Sequence, residues 1–350
     1  MLQTVKNIYS HLGDEQSKEI YANRLLFSLT GDRSYIEKII LNTELYQNIC
    51  KILTEDRREK YIFGIGQWGK IITDLFFEFG FSGVIDNYAK GSYRSLPILT
   101  LKEFLEKNTD ASVYIASTGF HTEFYKMLQQ AGIEEERIVD VTGMMLEVYH
   151  EQQYFDLPVL QKIKEESEIF VDGGCYDAAN SVMFVKWAGN IQKKVYAFEP
   201  DENNFKICRA ALEQMKDLSY ELIPRGLWSS DGILNFCASA NEASQFAENG
   251  EEQIPVTSLD LAVDGKVTFL KMDIEGAEYE ALKGAKRLIC RYRPKLAISI
   301  YHKLEDIWEI PKLILSFCPE YTFYLRHYSL SSEETVLYAV ILDEQKEKGI

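Results

Sequence analysis

The sequence has few of the features that mark metal-binding modules, membrane spans or nucleic-acid binding. Its six cysteines are scattered, with no CxxC pair and no histidine at zinc-ligand spacing, which argues against a zinc finger. No apolar run approaches the ~18 residues that cross a bilayer, and the amino terminus has no uninterrupted apolar segment. The 38 basic residues are outnumbered by 54 acidic ones, and the net charge of -16 opposes nucleic-acid binding. These absences predict a cytoplasmic protein with reduced thiols and no membrane span.

The composition that remains is that of ordered globular protein. Hydrophobic residues make up 46% of the 350 residues, with 21 Tyr and 19 Phe. The length predicts two or three domains, because a domain usually has ~100–200 residues. We expect a helical lead-in over residues 1–58, a Rossmann-like domain over 59–150 and a second α/β domain over 151–350.

Both α/β domains alternate short apolar runs with amphipathic stretches, which predicts parallel sheets covered by helices. The last two apolar runs, TFYLRHYS and TVLYAVIL, are separated by only a few residues. That connection is too short for a parallel crossover, so the second sheet should end with antiparallel strands. The fold class is therefore α/β with two Rossmann-like sheets.

A first glycine loop, GIGQWG, lies between a predicted strand and a predicted helix of the 59–150 domain. Gly64, Gly66 and Gly69 match a dinucleotide fingerprint, and Asp86 ends the next strand ~20 residues later, where it would bind a ribose. Neither neighbour of Asp86 is basic, which favours NAD over NADP. The alternative is that the glycines only permit a tight turn, and that the domain binds another nucleotide or none.

A second glycine loop, FVDGGCYD, is followed by a strand that ends in VYAFEPDENNF. S-adenosylmethionine carries an ammonium and a sulfonium instead of a pyrophosphate, so carboxylates suit it. Asp172 could balance the ammonium, Gly173 and Gly174 would permit a close approach, and Glu199 could accept both ribose hydroxyls. Leu227 lies in the turn where folds that bind S-adenosylmethionine hold its adenine.

These stretches, together with PVTSLD, FLKMDIEGAEYEALKGA and PKLAISIYH, resemble the FkbM-type methyltransferases over about residues 165–342. The resemblance implies a seven-stranded class I fold, S-adenosylmethionine as methyl donor, and O-methylation of sugars or other small metabolites. Related sequences commonly have a further glycine after the Asp of the first motif, where this chain has Ala178. The remaining residues of the predicted cofactor site are Cys175, Asp177 and Asp201.

The acceptor side is predicted from acids and a histidine at the carboxyl ends of strands. His302 is the first candidate for the general base that takes the proton of an alcohol, with Asp273 orienting either His302 or the acceptor and with Glu275 beside it. The same three side chains could instead hold Mg²⁺ or Mn²⁺. We do not favour that alternative and predict no metal site.

Two functions from different classes remain open. The leading hypothesis is an O-methyltransferase for a saccharide or another small hydroxylated acceptor, in a chain that can form oligomers. The alternative is an NAD-linked oxidoreductase, or a nucleotide sensor, that uses the 59–150 domain beside an inactive methyltransferase-like domain. His121, which follows the strand SVYIAS, would be the acid/base candidate of such an oxidoreductase.

Overall fold

The computed structural model describes residues 1–107, 110–216, 218–236 and 252–342. The chain divides into two compact units, and we describe each by itself. The carboxy-terminal unit contains residues 1–39, 152–327 and those from 332 onward. The central unit contains residues 40–151 and 328–331.

The described residues form α-helices and two short 3₁₀ helices. The 3₁₀ helices are Phe77–Phe79 and Glu135–Arg137. The α-helices are α1 Leu2–Ser10, α2 Glu15–Thr30, α3 Ser34–Leu41, α4 Glu44–Glu55, α5 Gln67–Leu75, α6 Leu101–Lys107, α7 His121–Gln130, α8 Val141–Glu151, α9 Pro158–Lys162, α10 Ala179–Ala188, α11 Glu202–Glu213, α12 Leu259–Ala262, α13 Glu278–Lys283, α14 Lys286–Tyr292 and α15 Asp306–Phe317.

The strands alternate with these helices, as the sequence pattern predicts. They are β1 Lys60–Phe63, β2 Phe81–Ile85, β3 Ser92–Tyr93, β4 Leu96–Leu99, β5 Ser112–Ile115, β6 Ile138–Asp140, β7 Ser167–Gly173, β8 Gln192–Phe198, β9 Ser219–Ile223, β10 Gly226–Leu227, β11 Gly232–Phe236, β12 Glu252–Thr257, β13 Phe269–Met272, β14 Lys295–Ser299, β15 Thr322–His327 and β16 Thr335–Val340.

The carboxy-terminal unit is built on a seven-stranded sheet with the order β15-β16-β14-β13-β7-β8-β9. The strands from β14 to β9 are parallel, whereas β16 runs antiparallel to β14 and to β15. The predicted α/β class and its antiparallel end are therefore confirmed. Strands β13 and β14 are buried along their whole length, as expected for central strands with both faces covered. A three-stranded sheet, β10-β12-β11, accompanies this sheet.

One face of the large sheet packs on a cluster of aromatic rings. The Phe170 and Phe184 rings stack with their centroids 4.6 Å apart, and Phe155 and Phe269 meet edge to face at 5.3 Å. Aromatic side chains bury large apolar areas, so this cluster fixes where α10 lies on β7. The carboxyl ends of β7, β8 and β13 are thereby held at one edge of the sheet.

The first two helices belong to this unit and not to a separate lead-in over residues 1–58. Helix α2 begins at Asp14, whose Oδ1 accepts the N–H of Ser17, and ends at Gly31 with a φ of 71°. The Ser17 hydroxyl accepts the N–H of Leu325 in β15. Arg24 donates to the Thr335 hydroxyl at 2.6 Å. These buried polar contacts hold α2 against the edge of the sheet. The spacing of apolar residues in α2 does not indicate them.

The central unit has a six-stranded sheet with the order β3-β4-β2-β1-β5-β6. Strands β4, β2, β1, β5 and β6 are parallel, and β3 adds an antiparallel edge. Its core joins Tyr61, Phe63 and Val113 on the sheet to Phe104 and Leu128 on the helices. The Rossmann-like alternation predicted for this region is present.

Two further observations concern the chain as described. No helix within the described ranges is both long and apolar enough to cross a membrane. Cys50, Cys175, Cys208, Cys290 and Cys318 are free thiols. Cys237 lies outside the described residues.

Candidate active site

A cavity of about 510 Å³ opens at the carboxyl ends of β7, β8 and β13 in the carboxy-terminal unit. This is the edge at which open parallel sheets bind their ligands. Its walls are formed by Gly174, Tyr176, Phe198, Glu199, Pro200, Asp201, Glu202, Asn204, Gly226, Leu227, Gln253, Ile254, Asp273, Ile274, Glu275 and Ala277. The cavity is therefore apolar in part, with carboxylates at several points of its wall.

Glu199 directly follows β8 and is held rigidly at the cavity. Its Oε1 accepts the N–H of Asp201 and its Oε2 accepts the N–H of Tyr176, both at 3.0 Å. The residue is only 6% exposed, and burial raises the pKa of its carboxyl group. Each carboxylate oxygen keeps a second lone pair. Glu199 can thus accept hydrogen bonds from a pair of ligand hydroxyls.

The second glycine loop comes close to the neighbouring strand end. Gly174 has a φ of 71°, and a Cβ atom there would overlap the carbonyl oxygen of Asp273. A Cβ on Gly173 would lie 2.8 Å from the side chain of Leu227. Gly174 therefore requires glycine, whereas a side chain at Gly173 would require Leu227 to move. Gly174 and Leu227 line the cavity.

Asp172 does not line the cavity, although the sequence predicted that it would pair with a donor ammonium. Its buried carboxylate lies 3.2 Å from Lys271 Nζ and accepts a hydrogen bond from the Ser181 hydroxyl. Lys271 also donates to the carbonyl oxygens of Gly173 and Gly174, at 3.2 and 2.8 Å. Since Lys271 already neutralises Asp172, this geometry favours a positioning role for Asp172 in the glycine loop.

The remaining predicted cofactor residues have different surroundings. Asp201 lines the cavity, and its Oδ1 caps α11 by accepting the N–H groups of Asn203 and Asn204. The Cys175 thiol is buried and lies 3.0 Å from the Cys208 sulfur. Asp177 Oδ1 accepts the N–H of Ala179. Neither Cys175 nor Asp177 belongs to the cavity wall.

Ala178 occupies the position at which related sequences have glycine, and its φ is 64°. Left-handed backbone costs an L-residue roughly 1–2 kcal/mol, which glycine avoids. Ala178 therefore holds a backbone conformation that is unfavourable for alanine. The N–H of Ala178 donates to the Cys175 carbonyl at 2.6 Å, which closes the turn before α10.

The predicted acceptor residues are brought together at the other side of the cavity. Asp273 follows β13, and its Oδ2 and Oδ1 accept the hydroxyls of Tyr154 and Tyr301 at 2.7 and 3.2 Å. His302 Nε2 lies 3.5 Å from both Asp273 Oδ1 and Glu275 Oε2. Asp273 and Glu275 line the cavity, and His302 lies behind them.

The charges around His302 disfavour the base role predicted for it. Its Nδ1 is 3.1 Å from Glu278 Oε1. Burial would lower the pKa of His302, but the charge and hydrogen bond of Glu278, with Asp273 and Glu275, raise this pKa to about 10. Near pH 7 the free imidazole is then protonated and cannot accept a proton. By contrast, desolvation and the charges of Asp273 and Glu278 raise the pKa of Glu275, while the charge of His302 acts in the opposite direction. The Glu275 side chain is 68% exposed, so it is the accessible carboxylate of this group and the better candidate for a base.

Sequence reasoning missed three residues that position the site. Lys271 could have been noticed, because it is a charged residue inside the apolar run TFLKM. Tyr154 and Tyr301 gave no signal, since no local pattern indicates that their hydroxyls meet at Asp273. Glu278, the first residue of α13, is fully buried.

Comparison with known proteins gives this arrangement its family. Residues 172–325 match the family model described as the methyltransferase FkbM domain. We call the matched residues 172–325 the FkbM domain. The crystal structure of methyltransferase FkbM from Methylobacillus flagellatus KT has a similar fold, with a TM-score of 0.50 and 21% identity over 89% of this chain and 100% of that chain.

Two weaker structural similarities cover about half of the chain. The rRNA methylase of Streptococcus thermophilus has a TM-score of 0.36 and 17% identity, over 53% of this chain and 92% of that chain. Aeropyrum pernix fibrillarin, with natively bound S-adenosyl-L-methionine, has a TM-score of 0.33 and 12% identity, over 53% and 69%. No curated protein matches the chain.

The first glycine loop lies in the central unit, outside the FkbM domain, and its contacts differ from those of the second glycine loop. Asp86 Oδ2 accepts the N–H of Ile65, and its Oδ1 accepts those of Tyr88 and Ala89. Gly69 packs so tightly that a Cβ atom would overlap the carbonyl oxygen of Gly64, whose φ is 95°. These contacts explain why Asp86, Gly64 and Gly69 occur at their positions, and none of the three needs a bound ligand to do so.

The surroundings of Gly66 and His121, two other residues of the central unit, are compatible with the nucleotide hypothesis. Gly66 begins α5 with no side-chain cap, and a Cβ atom there would meet nothing within 4 Å. The N–H groups of that helix terminus are therefore accessible. His121 Nδ1 lies 2.8 Å from Asp140 Oδ2, so its ring is oriented by a carboxylate.

Proposed function

We propose that this protein is an S-adenosylmethionine-dependent O-methyltransferase that acts on a saccharide or another small hydroxylated acceptor. The observation that carries the proposal is that Glu199, Asp273 and Glu275 line one cavity. Glu199 would accept the ribose hydroxyls of the donor. Asp273 and Glu275 would face the acceptor.

The wall of the cavity suits this donor chemically. S-adenosylmethionine is positively charged at its reacting sulfur, and the cavity carries Glu199, Asp201, Asp273 and Glu275. Gly174 leaves room where a side chain would collide with Asp273. Leu227 offers an apolar surface for an adenine ring. Carboxylates also accept several hydroxyl hydrogen bonds at once, which favours a sugar-like acceptor over an apolar one.

The proposed mechanism depends mainly on alignment. When bound, S-adenosylmethionine would supply a methyl group activated by its positively charged sulfur. Glu275 would accept the proton of the acceptor hydroxyl, and Asp273, fixed by the hydroxyls of Tyr154 and Tyr301, would orient the acceptor. Alignment and a general base are both established sources of acceleration.

A direct test incubates the protein with donor labelled in the methyl group and a panel of hydroxylated acceptors, including saccharides. We expect an O-methylated product, identified by mass spectrometry. A protein that binds the donor but labels only nitrogen or carbon acceptors would contradict the O-methyl assignment.

The Glu275→Gln variant tests the base. Turnover should fall by ~10²-fold or more because the amide cannot accept the proton, while donor affinity measured by calorimetry stays close to that of the wild type. Glu280→Gln is the matched control, since Glu280 pairs with Lys283 on the surface of α13. Turnover of Glu275→Gln equal to that of the control would remove Glu275 from the mechanism.

The alternative of an NAD-linked oxidoreductase or nucleotide sensor has its own test. Calorimetry with NAD in place of the donor would favour it if NAD bound and S-adenosylmethionine did not. The contacts of Asp86 with three backbone N–H groups speak against a ribose site there. We further propose a cytoplasmic location and no nucleic-acid partner, in keeping with the net charge of -16.

A further inference from the structure

The carboxyl group of Glu334 lies beside the candidate active site, although the proposed chemistry does not use it. Strands β14 and β16 are antiparallel, and Ser299 is paired with Val336. Continuing that register beyond the strands puts Tyr301, which follows β14, opposite Glu334, which precedes β16. The antiparallel end of the sheet thus brings a further acid to the edge at which the site lies.

The hydroxyl of Tyr301 lies between two carboxyl groups. Its oxygen is 3.2 Å from Asp273 Oδ1 and 3.3 Å from Glu334 Oε1, so distance favours neither partner. A phenol has one proton to donate, and an ionised carboxylate can only accept. If both acids were ionised, Tyr301 would donate to one of them and turn a lone pair towards the other. Both contacts can be hydrogen bonds only if one of the two carboxyl groups keeps its own proton.

The surroundings of Asp273 favour its ionised form. Burial would raise the pKa of Asp273, but the positive charges of His302 and Lys271 lower it, and so do the hydroxyl groups of its two tyrosine partners. The Oδ2 atom of Asp273 accepts one of these hydroxyls, that of Tyr154, at 2.7 Å. Asp273 is therefore a carboxylate near pH 7.

The surroundings of Glu334 favour its neutral form. Desolvation and the charge of Asp273 raise the pKa of Glu334 to about 8, and the charge of the neighbouring Glu333 acts in the same direction. A hydrogen bond from Gln153 and the charge of His302 oppose this shift. The Gln153 side chain is buried and donates to Glu334 Oε2 at 2.6 Å. Of the two acids beside Tyr301, Glu334 is therefore the one that keeps a proton near pH 7.

The backbone also holds the Glu334 side chain in place. Glu334 has a φ of 60°, a left-handed conformation that is unfavourable for a residue with a Cβ atom. Such strain is kept where surrounding contacts fix it, and it is common at functional sites. Arg24, a basic residue that contacts this link, donates to the Ser332 carbonyl and to the Thr335 hydroxyl. The link before β16 thus holds Glu334 at Tyr301 at a cost in backbone conformation.

We propose that Glu334 is a positioning residue of the active site, which keeps its proton, donates a hydrogen bond to the Tyr301 oxygen and thereby commits the Tyr301 hydroxyl to Asp273. Its Oε1 is then the hydroxyl oxygen, and its Oε2 is the carbonyl oxygen that accepts from Gln153. Asp273 lines the cavity, where it can accept hydroxyl groups of the methyl acceptor. This role rests on the proposed methyl transfer.

The first test observes the proton itself, by ¹³C nuclear magnetic resonance of protein labelled at the glutamate side-chain carboxyl carbons. The Glu334 signal is the one that is missing from Glu334→Gln. We expect this signal to report a neutral acid at pH 7 and to titrate near pH 8. Titration near ~4.3, the ordinary value for glutamate, would overturn the proposal. So would a Glu334→Gln protein that does not fold at pH 7, because its amide reproduces both hydrogen bonds of the neutral acid.

The second test measures KM for the hydroxylated acceptor that the labelled-donor panel identifies, at pH values on both sides of 8. In the wild type and in the matched control Glu280→Gln, KM should rise by roughly 5-fold to 10-fold as Glu334 ionises and competes with Asp273 for the Tyr301 hydroxyl. Glu334→Gln should show no such rise, because an amide does not ionise.

The outcomes separate this role from the methyl-transfer proposal. An equal rise of KM in Glu334→Gln and in the wild type would overturn the positioning role. If the Glu334 signal titrates near pH 8 but no hydroxylated acceptor is methylated, the proton on Glu334 is sustained and the methyl-transfer proposal alone fails.

Discussion

After the first strand of each parallel sheet, a glycine loop leads into a helix, and the next strand ends at an acid. In the central unit this acid is Asp86, whose oxygens accept three backbone N–H groups around its own loop. In the FkbM domain it is Glu199, which accepts two and also lines the cavity. The same sequence pattern thus stabilises a turn in one sheet and lines a cavity in the other.

The two loops also differ in what lies beneath them. The FkbM loop rests on Lys271, which is buried and joins Asp172 to the carbonyl oxygens of Gly173 and Gly174. In the central unit, Gly69 packs directly against the carbonyl of Gly64. Both glycine motifs therefore mark places where the backbone packs closely. Whether such a loop also borders a ligand site depends on whether the neighbouring charged side chains line a cavity or bond within the loop.

The largest effect should come from the support of the FkbM loop. Lys271→Met leaves the Asp172 carboxylate buried without its partner, which costs about 3–5 kcal/mol of the free energy of unfolding. Urea denaturation measures the loss. The double variant Asp172→Leu with Lys271→Met should recover much of it, because no charge is then left unpaired. A loss below about 1 kcal/mol in the single variant would show that the pair does not support the loop.

A smaller but more selective effect is expected at the glycines. Gly174→Ala should cost about 2–4 kcal/mol, because its Cβ atom would overlap the Asp273 carbonyl and its φ is positive. Gly66→Ala is the matched control: its Cβ atom would meet nothing within 4 Å, and the loss should be at most about 1 kcal/mol. Thermal unfolding compares the two, and equal losses would contradict the distinction between the loops.

Asp86→Ala tests the acid of the central loop. Three backbone N–H groups lose their acceptor, so the free energy of unfolding should fall by about 1–3 kcal/mol. Affinity for S-adenosylmethionine should not change, because Asp86 is no part of the cavity wall. If a folded Asp86→Ala protein lost donor binding, the assignment of the donor to the FkbM domain alone would be wrong.

The sequence was sufficient to predict the elements and the edge at which the site lies. Alternating apolar runs predicted both sheets, and the short link before TVLYAVIL predicted the antiparallel end. Acids at strand ends were enough to place Glu199, Asp273 and Glu275 near one another, because the carboxyl ends of parallel strands share an edge. These features depend on local periodicity and on topology, which a sequence expresses directly.

The contacts that set protonation and orientation could not be predicted. Tyr154 reaches Asp273 across 119 positions of sequence, and nothing in its neighbours indicates that pairing. The high pKa of His302 depends on Glu278, Asp273 and Glu275, which lie close in sequence but meet His302 only because the segment after β13 packs beside the segment after β14. Helix α2 packs on the sheet through Ser17 and Arg24, residues that the apolar pattern ignores. Such contacts follow from the packing of whole elements rather than from the local sequence.

The most direct test of the central claim is a calorimetric titration of S-adenosylmethionine into the wild type, Glu199→Ala and Asp86→Ala. We expect the wild type and Asp86→Ala each to bind one donor per chain. For Glu199→Ala we expect an affinity lower by roughly 10-fold to 100-fold, because about 1–3 kcal/mol of hydrogen bonding is lost. Wild-type affinity in a folded Glu199→Ala protein, or no saturable binding by the wild type, would contradict the assignment of Glu199 to the donor site.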